Sequence, residues 1–262
     1  MPDHPADARP LKDRIILVTG AGRGIGAAVS RQLARSGATV VLSGPRVSEL
    51  EVVYDDILAA GGPTPAIAPI NLESLHWDEA QTLVDTMGDE FGRLDGVLHN
   101  AAHLHGLTPL ANFPLAEWYK TLQINLNAPF VLTMCCLPVL RQSSDASIVF
   151  TSDQVGLQAK AYYGAYGVSK FALQGLMQTL AEETRDNTNI RVNSIDPGPV
   201  DTELYRRIFP EPDLNGLAQP SDIALPYVYL LGPASRGITG QHFRAQEDGP
   251  WQSQAGDELK AP

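Results

Sequence analysis

A tyrosine and a lysine four residues apart are the residues of this chain whose types and spacing best suit proton chemistry. Of the eight tyrosines, Tyr166 is the one followed four positions later by a lysine, Lys170. In a helix this spacing places both side chains on one face. An ammonium group beside a phenol favours the phenolate and lowers the phenol pKa from about 10, so the tyrosine can exchange a proton with a substrate oxygen.

A glycine-rich turn earlier in the chain suits phosphate binding. Residues 19–26 read Thr-Gly-Ala-Gly-Arg-Gly-Ile-Gly, between a strand-like run and a helical segment. Glycines let the backbone turn tightly and approach a pyrophosphate, and the N-terminus of the next helix offers free N–H groups and the positive end of its dipole. At the first strand-to-helix turn, this pattern predicts a nicotinamide dinucleotide site.

The end of the second predicted strand favours NADP over NAD as the cofactor. NAD sites usually carry an acidic residue there for the ribose 2′-hydroxyl, whereas residues 42–46 read Leu-Ser-Gly-Pro-Arg, without a carboxylate. Arg23 and Arg46 can instead neutralise a 2′-phosphate. The alternative is that Arg46 merely begins a solvated helix.

The scaffold that positions these residues follows from the hydrophobic pattern. Strand-like runs alternate with helical segments from Arg14 onward, which predicts one doubly wound α/β domain with a mostly parallel seven-stranded sheet and helices on both faces. The predicted strands are 15–18, 39–42, 66–70, 96–99, 147–151, 191–195 and 242–245, and the predicted helices are 24–36, 47–60, 75–91, 115–141, 162–185 and 221–231. We expect a ligand-binding loop at 197–220 and flexible tails at 1–12 and 250–262.

Composition excludes several other classes of function. The 262 residues carry a formal net charge of -11, which argues against nucleic-acid and anionic-membrane partners. Cys135 and Cys136 are adjacent, which suits neither an ordinary disulfide nor a metal site, so no metal is expected. Residues 1–10 lack an apolar signal region, and the longest apolar stretch, 129–140, is too short to span a bilayer. The expected compartment is the cytoplasm.

Several motifs, in the right order, resemble the classical short-chain dehydrogenase/reductase family. The turn at 19–26 is similar to its TGxxxGxG motif, Asn100-Ala101-Ala102 to its NAG segment, Asn125 to its helix-kinking asparagine, Tyr166 and Lys170 to YxxxK, and Pro197-Gly198 to its PG turn. The resemblance covers residues 13–249. Longer runs at 13–20, 94–101 and 169–172 resemble the YciK-like branch of bacterial oxidoreductases.

The resemblance implies a Rossmann-type NAD(P)-binding domain that interconverts a small carbonyl compound and an alcohol by hydride transfer. It implies that Tyr166 is the general acid/base, that Lys170 lowers the tyrosine pKa and holds the nicotinamide ribose, and that Asn125 holds a proton-relaying water. The predicted cofactor contacts are Gly20, Arg23, Gly24, Ile25, Gly26, Arg46, Asn71, Leu72, Asn100, Ala101, Tyr166, Lys170, Pro197, Gly198, Val200 and Thr202.

Asp153 departs from the family pattern. It occupies the position of the substrate-orienting serine, thirteen residues before Tyr166, and strand alternation directs the neighbouring Ser152 to the opposite face. Three interpretations stay open for this fourth catalytic candidate. An ionised Asp153 suppresses catalysis by repelling negative charge on Tyr166 and the substrate; a neutral Asp153 donates a hydrogen bond; or Asp153 selects a cationic or hydroxyl-rich substrate.

Two further expectations concern an alternative function and the assembly. If Asp153 suppresses catalysis, the chain is a nucleotide-binding sensor or scaffold with little or no turnover. The apolar runs at 130–140 and 171–180 exceed what one amphipathic stripe needs, and their family counterparts form subunit interfaces, so we expect a homodimer or homotetramer. Central buried helices are the alternative. We expect His103 and His105, which follow the NAG-like segment, to be solvated rather than catalytic.

Overall fold

A seven-stranded parallel sheet forms the centre of the part of the chain that the computed structural model describes, residues 9–209, 216–247 and 249–251. The strands are β1 (Ile15–Thr19), β2 (Thr39–Gly44), β3 (Ala66–Pro69), β4 (Gly96–His99), β5 (Ala146–Thr151), β6 (Ile190–Asp196) and β7 (His242–Arg244). Their order is β3-β2-β1-β4-β5-β6-β7, and every neighbouring pair is parallel. The prediction of a doubly wound sheet is confirmed.

Helices cover both faces of the sheet, so strands β1 to β6 contribute to two hydrophobic cores. The helices are α1 (Gly24–Arg35), α2 (Val47–Ala59), α3 (Trp77–Phe91), α4 (Leu115–Leu122), α5 (Ala128–Leu140), α6 (Gly164–Thr184), α7 (Glu203–Ile208) and α8 (Ala224–Leu231). On β1, Ile16 and Val18 pack with α1, α2 and α8, while Leu17 packs with α3, α5 and α6. This alternation is the period of two expected of a strand buried on both faces.

The strand order reverses between β1 and β4, which are neighbours in the sheet but not in the chain. β1 to β3 extend to one side, and β4 to β7 extend to the other. In open α/β sheets this reversal leaves a crevice at the carboxyl ends of the strands, where ligands bind. The glycine turn follows β1 and the NAG-like segment follows β4, so both border this crevice.

The structure corrects the predicted helix at 115–141 and loop at 197–220. A π-helical segment, Gln123–Asn127, separates α4 from α5, with the Ala128 N–H bonded to the Gln123 carbonyl. The predicted loop contains the short helix α7, and its residues 210–215 lie outside the described part of the chain. Together α4, the π segment and α5 form one helical stretch that is long and apolar enough to span a membrane. Core helices of globular domains have the same length and composition. In this domain α5 contacts α3, and α4 contacts α6.

The inner ends of the two expected tails belong to the folded domain. Leu11 is fully buried, and Trp251 packs edge-on against Tyr229 and Phe243. The core therefore covers one apolar side chain at the inner end of each expected tail, Leu11 and Trp251. Residues 1–8 and 252–262 lie outside the described part.

A buried ion cluster joins the strands at the edge of the sheet opposite the crevice. The Asp145 carboxylate, 5% exposed, accepts from Arg14 at 3.0 Å and from Arg191 at 3.1 Å. Arg191 also donates to the Leu230 and Gly232 carbonyls at the end of α8. One carboxylate thus compensates two buried guanidinium groups and ties β1, β5 and β6 to α8.

Candidate active site

A cavity of about 550 Å³ runs along the carboxyl ends of β1 to β4. This volume lies within the range of roughly 300–1,000 Å³ that is usual for small-molecule and cofactor sites. The lining includes ten of the predicted cofactor residues, namely Gly20, Arg23, Gly24, Ile25, Arg46, Asn71, Leu72, Asn100, Ala101 and Thr202. The structure therefore brings residues that are far apart in the chain to one surface.

The glycine turn is packed too closely against the neighbouring chain to carry side chains, as a dinucleotide-binding turn requires. Gly20 has a φ of +68°, and a Cβ there would lie 3.0 Å from Ala101 Cα. A Cβ on Gly26 would overlap the Gly20 carbonyl oxygen and lie 2.7 Å from Asn100 Nδ2. Helix α1 begins after Arg23 with no side-chain cap, so its first N–H groups remain available to an anion.

Replacing Gly26 by alanine is expected to weaken NADPH binding by roughly 10- to 100-fold, because the turn and α1 must move apart to admit the methyl group. Gly175→Ala is the matched control, since a Cβ on this helical glycine would meet no atom within 4 Å. The measurement is NADPH fluorescence titration of both variants. Equal affinities would contradict the proposed role of Gly26 in the turn.

The two arginines predicted to bind a 2′-phosphate border the cavity, and both are paired with glutamates. Arg46 lies 2.6 Å from Glu49, and Arg23 pairs with Glu203. The inference that no carboxylate is available here needs correction, because Glu49, in the first turn of α2, also lines the cavity. A guanidinium group has five N–H donors, so Arg46 can hold Glu49 and a phosphate oxygen together.

Tyr166 and Lys170 lie side by side in α6, next to the end of β5. Tyr166 is 6% exposed and Lys170 is 3% exposed. The Lys170 Nζ atom lies 5.4 Å from the centre of the Tyr166 ring and donates to the Thr151 carbonyl at 2.7 Å. The segment after β5 packs closely against α6 at Gly156, where a Cβ would lie 2.9 Å from the Lys170 carbonyl oxygen. Burial lowers the pKa of Lys170 to about 8, against the opposing effect of Asp153 and Asp196.

Asp153, not Lys170, is the charged group at the Tyr166 hydroxyl. The hydroxyl donates to Asp153 Oδ2 at 2.9 Å, and the Val155 N–H donates to Oδ1 at 2.9 Å. Burial first, and then the Asp153 carboxylate, raise the pKa of Tyr166 well above its ordinary value. The pKa of Tyr166 is therefore raised in this structure, whereas its pairing with Lys170 predicts a lowered pKa.

Ser152 is hydrogen-bonded to Gln174, further along α6 than Tyr166. It is 2% exposed, and its hydroxyl accepts from Gln174 Nε2 at 2.8 Å. Gln174 and Ser194 also contact His242 Nδ1, each at 2.9 Å, which forms a polar cluster between α6, β6 and β7. Ser152 therefore cannot replace the serine that the family pattern places at position 153.

Asn125 lies in the π-helical segment and holds the chain that follows the NAG-like residues. Its Oδ1 accepts from the His103 N–H at 2.7 Å, and its Nδ2 donates to the His103 carbonyl at 2.9 Å and to Ser169 at 3.0 Å. The His103 ring in turn lies 2.7 Å from Glu117, and the His105 ring lies 3.5 Å from the same carboxylate. The expectation that both histidines are merely solvated is wrong, because both contact Glu117; His103 also lowers the pKa of Glu117.

The remaining predicted cofactor residues contact protein groups. Gly198 has a φ of +69°, and its N–H donates to Asp196 at 2.8 Å, while Gln246 donates to the Pro197 carbonyl at 2.9 Å. Val200 is 2% exposed and packs in the core, away from the cavity lining. Thr202 lines the cavity and caps α7 by accepting from the Tyr205 N–H at 3.1 Å.

Several residues of the site were missed by the sequence analysis. Glu49, Glu203, Arg207 and Lys120 line the cavity, and Asp196 is a second buried carboxylate near Tyr166 and Lys170. The position of Asp196, immediately before the PG turn, was the available signal. The cavity glutamates carried no comparable signal, because charges on short solvent-facing helices are common.

Comparison with known proteins shows to which family the chain belongs. The family model described as short chain dehydrogenase matches residues 14–213. This chain is a short-chain dehydrogenase. Like others of its family, it is an NAD(P)-dependent oxidoreductase, so the predictions of the family and of an enzyme are confirmed.

The relatives of this short-chain dehydrogenase include the predicted YciK-like branch. The uncharacterized oxidoreductase YciK of Escherichia coli K12 is 42% identical over 236 residues, which cover 90% of this chain and 93% of that protein. A solved short chain dehydrogenase from Pseudomonas syringae is 47% identical with a TM-score of 0.90, covering 94% of this chain and all of that one. A solved short chain dehydrogenase from Shigella flexneri, complexed with NADP, is 41% identical with a TM-score of 0.89. The match covers 92% of this chain and all of that one.

Proposed function

We propose that this short-chain dehydrogenase reduces a small carbonyl compound to an alcohol with NADPH, and that Tyr166 supplies the proton. The observation that carries the proposal is the buried pair of Tyr166 and Lys170 next to the end of β5, in a domain whose glycine turn lines a cavity. When bound, the reduced nicotinamide supplies a hydride to the carbonyl carbon. The residues of the chain must then bind, orient and protonate the substrate.

Different residues along the cavity would hold different parts of the dinucleotide. The glycine turn and the N-terminus of α1 would hold the pyrophosphate, and Asn71 and Leu72 would border the adenine. Asn100 and Ala101 follow β4 and donate to Thr19 Oγ1 at 3.1 and 3.2 Å, which holds them against the turn. The 2′-phosphate would lie at Arg46 and Arg23. The NADP complex of the Shigella flexneri relative supports this choice of cofactor.

Replacing Arg46 by glutamine is expected to raise the KM for NADPH by roughly 10- to 100-fold and to leave the KM for NADH nearly unchanged, because only NADPH carries the phosphate that Arg46 binds. Arg31→Gln is the control, since Arg31 pairs with Asp56 at 2.6 Å and does not line the cavity. Steady-state kinetics with both cofactors measure the effect. An equal rise for NADH would contradict 2′-phosphate binding by Arg46.

The protonation states favour reduction over oxidation. The raised pKa of Tyr166 keeps the hydroxyl protonated in the neutral range, ready to donate, whereas alcohol oxidation needs the phenolate. Lys170, with a pKa of about 8, is mostly charged at neutral pH. Its ammonium group lies close enough to stabilise the phenolate that Tyr166 becomes when it gives up the proton.

The rate of reduction is expected to fall as the pH rises through about 8, because Lys170 loses its charge there and the nascent phenolate loses its stabilising cation. The measurement is kcat/KM for ketone reduction between pH 6 and 10. The residual activity of Lys170→Met should lack this descending limb. A flat wild-type profile through this range would contradict the role of the ammonium group.

The experiment that tests the proposed function is a screen for NADPH oxidation with a panel of small ketones and aldehydes, analysed for alcohol product. Turnover that depends on both the carbonyl compound and Tyr166 would support the proposal. NADPH binding without oxidation in the whole panel would overturn it.

One observation favours a second candidate, a dinucleotide-binding sensor or scaffold without turnover. Asp153 accepts a hydrogen bond from the Tyr166 hydroxyl, whose proton catalysis needs, and raises the pKa of that hydroxyl. Under this alternative, Asp153→Ser would create ketone reduction that the parent chain lacks. Activity in the unaltered chain would exclude it.

The proposed assembly and compartment rest on exposed apolar side chains and on the free cysteines. Phe130, Val168 and Phe171, on the outer faces of α5 and α6, are 42–46% exposed, which suits a homodimer or homotetramer interface. Cys135 and Cys136 are buried free thiols, as expected of a chain in the reducing cytoplasm. The partners that we propose are therefore a small substrate and further copies of the chain.

A further inference from the structure

The hydrogen bonds of Asp153 restrict which carbonyl compounds suit this site. Both of its carboxyl oxygens accept, Oδ1 from the Val155 N–H and Oδ2 from the Tyr166 hydroxyl, each at 2.9 Å. A phenol has a single proton to donate. When Tyr166 turns that proton towards a substrate carbonyl, as the proposed function requires, Asp153 Oδ2 loses its donor.

The loss of that donor is unfavourable because the site is buried and rich in negative charge. Tyr166 is 6% exposed, and Asp196, 7% exposed, adds a second carboxylate. The Lys170 ammonium is engaged by the Thr151 carbonyl at 2.7 Å. A simple ketone brings no donor of its own, so Oδ2 would stay unpaired beside an oxygen that gains negative charge.

We propose that the substrates of this enzyme are ketones that carry a hydrogen-bond donor, a hydroxyl or an ammonium group, on the carbon next to the carbonyl. The proposal rests on the carbonyl reduction proposed above and names its substrate class. Tyr166 Oη and Asp153 Oδ2 are 2.9 Å apart, which is similar to the separation of the two oxygens of an α-hydroxy ketone in its syn conformation. The carbonyl oxygen accepts from Tyr166 while the neighbouring donor replaces the phenol proton at Oδ2, in two parallel hydrogen bonds.

The walls around these two groups suit an apolar substrate body. Leu104 and Val155 are 1% exposed and pack in one cluster with Tyr166. The Tyr163 ring lies 6.3 Å from the Tyr166 ring, and Leu204 of α7 packs against the same cluster. Leu204 also lines the cavity, so its apolar surface is open to an alkyl or aryl substituent on the carbonyl carbon. The negative charge of Asp153 and Asp196 favours an ammonium donor over a hydroxyl donor.

The reaction balances without any group beyond NADPH and a proton. The hydride forms the new C–H bond at the carbonyl carbon as the C–O π bond breaks, and the Tyr166 proton forms the new O–H bond. The ketone is reduced to a vicinal diol or amino alcohol, and NADPH is oxidised to NADP⁺. Tyr166 is left as a phenolate beside the Lys170 ammonium and regains its proton from solvent.

The test compares four ketones of nearly equal size with NADPH: acetophenone, 2-methoxyacetophenone, 2-hydroxyacetophenone and 2-aminoacetophenone. The methoxy compound has an α-oxygen without a donor, so it controls for size and for the effect of that oxygen on carbonyl reactivity. We expect kcat/KM for the hydroxy and amino ketones to exceed that for the other two by at least roughly tenfold. The order of these two distinguishes a hydroxyl from an ammonium substrate.

The same four ketones are then measured with Asp153→Ser, and with Asp89→Ser as an exposed control on α3. We expect Asp153→Ser to abolish the preference by raising turnover of acetophenone and lowering that of the donor ketones, and Asp89→Ser to keep it. Equal kcat/KM for all four ketones in the wild type would overturn this inference alone. No turnover of any ketone by NADPH-bound enzyme would overturn the proposed function as well.

Discussion

Tyr166→Phe is expected to lower kcat/KM for NADPH-dependent ketone reduction by roughly 10²- to 10⁴-fold, because the substitution removes the proton that the carbonyl oxygen must receive. The phenyl ring keeps the packing against Leu104 and Val155, so the fold and NADPH affinity should be little changed. Steady-state kinetics and NADPH fluorescence titration on the same preparation separate these effects.

Tyr119→Phe is the matched control. Tyr119 is 64% exposed on α4, so the hydroxyl that this variant loses faces solvent. Its kcat/KM should equal that of the wild type. A Tyr166→Phe variant that retained wild-type kcat/KM would show that the proton comes from another group. Lys170 is a buried donor beside the site and the first candidate for that group.

Asp145→Ala is expected to lower the free energy of unfolding by about 3–5 kcal/mol, because it leaves two buried guanidinium groups without their carboxylate. Arg14 and Arg191 lie 3.0 and 3.1 Å from this carboxylate, and both are less than 10% exposed. Urea denaturation of the purified enzyme measures the change, with Asp145→Asn as a second variant that retains the shape of the side chain.

Asp56→Ala provides the comparison for this effect at the surface. Asp56 pairs with Arg31 at 2.6 Å, but their side chains are 50% and 31% exposed, so its removal should change stability by only about 0–1 kcal/mol. Similar small losses for Asp145→Ala and Asp56→Ala would contradict the structural role of the buried cluster.

Much of the fold could be predicted because it depends on local patterns. The buried strands carry β-branched runs, and the turn at 19–26 carries glycines that only a tight strand-to-helix connection needs. Strand alternation could not predict the partner of Ser152, because Gln174 lies in α6, the helix that also carries Tyr166. The π-helical segment inside the predicted helix 115–141 has no comparable local pattern, and only the analogy of Asn125 to a helix-kinking residue pointed to it.

The site was less predictable because its charges depend on contacts between distant residues. Arg23 pairs with Glu203, 180 positions away, and no periodicity reveals such a partner. The proximity of Asp153 to Tyr166 could be inferred from the family spacing, but the direction of their hydrogen bond could not. That direction decides whether Asp153 raises or lowers the pKa of Tyr166, since a carboxylate that accepts from the hydroxyl stabilises its protonated form.

The most direct test of the central claim follows a deuterium atom from the cofactor to the product. NADPH labelled with deuterium at the transferred position of nicotinamide C4 is mixed with the enzyme and 2-hydroxyacetophenone, and the product is analysed by mass spectrometry and NMR. We expect a diol with one deuterium on the former carbonyl carbon, formed by the wild type and nearly absent with Tyr166→Phe. NADPH that stays bound and unoxidised with this ketone and with the whole carbonyl panel would contradict it.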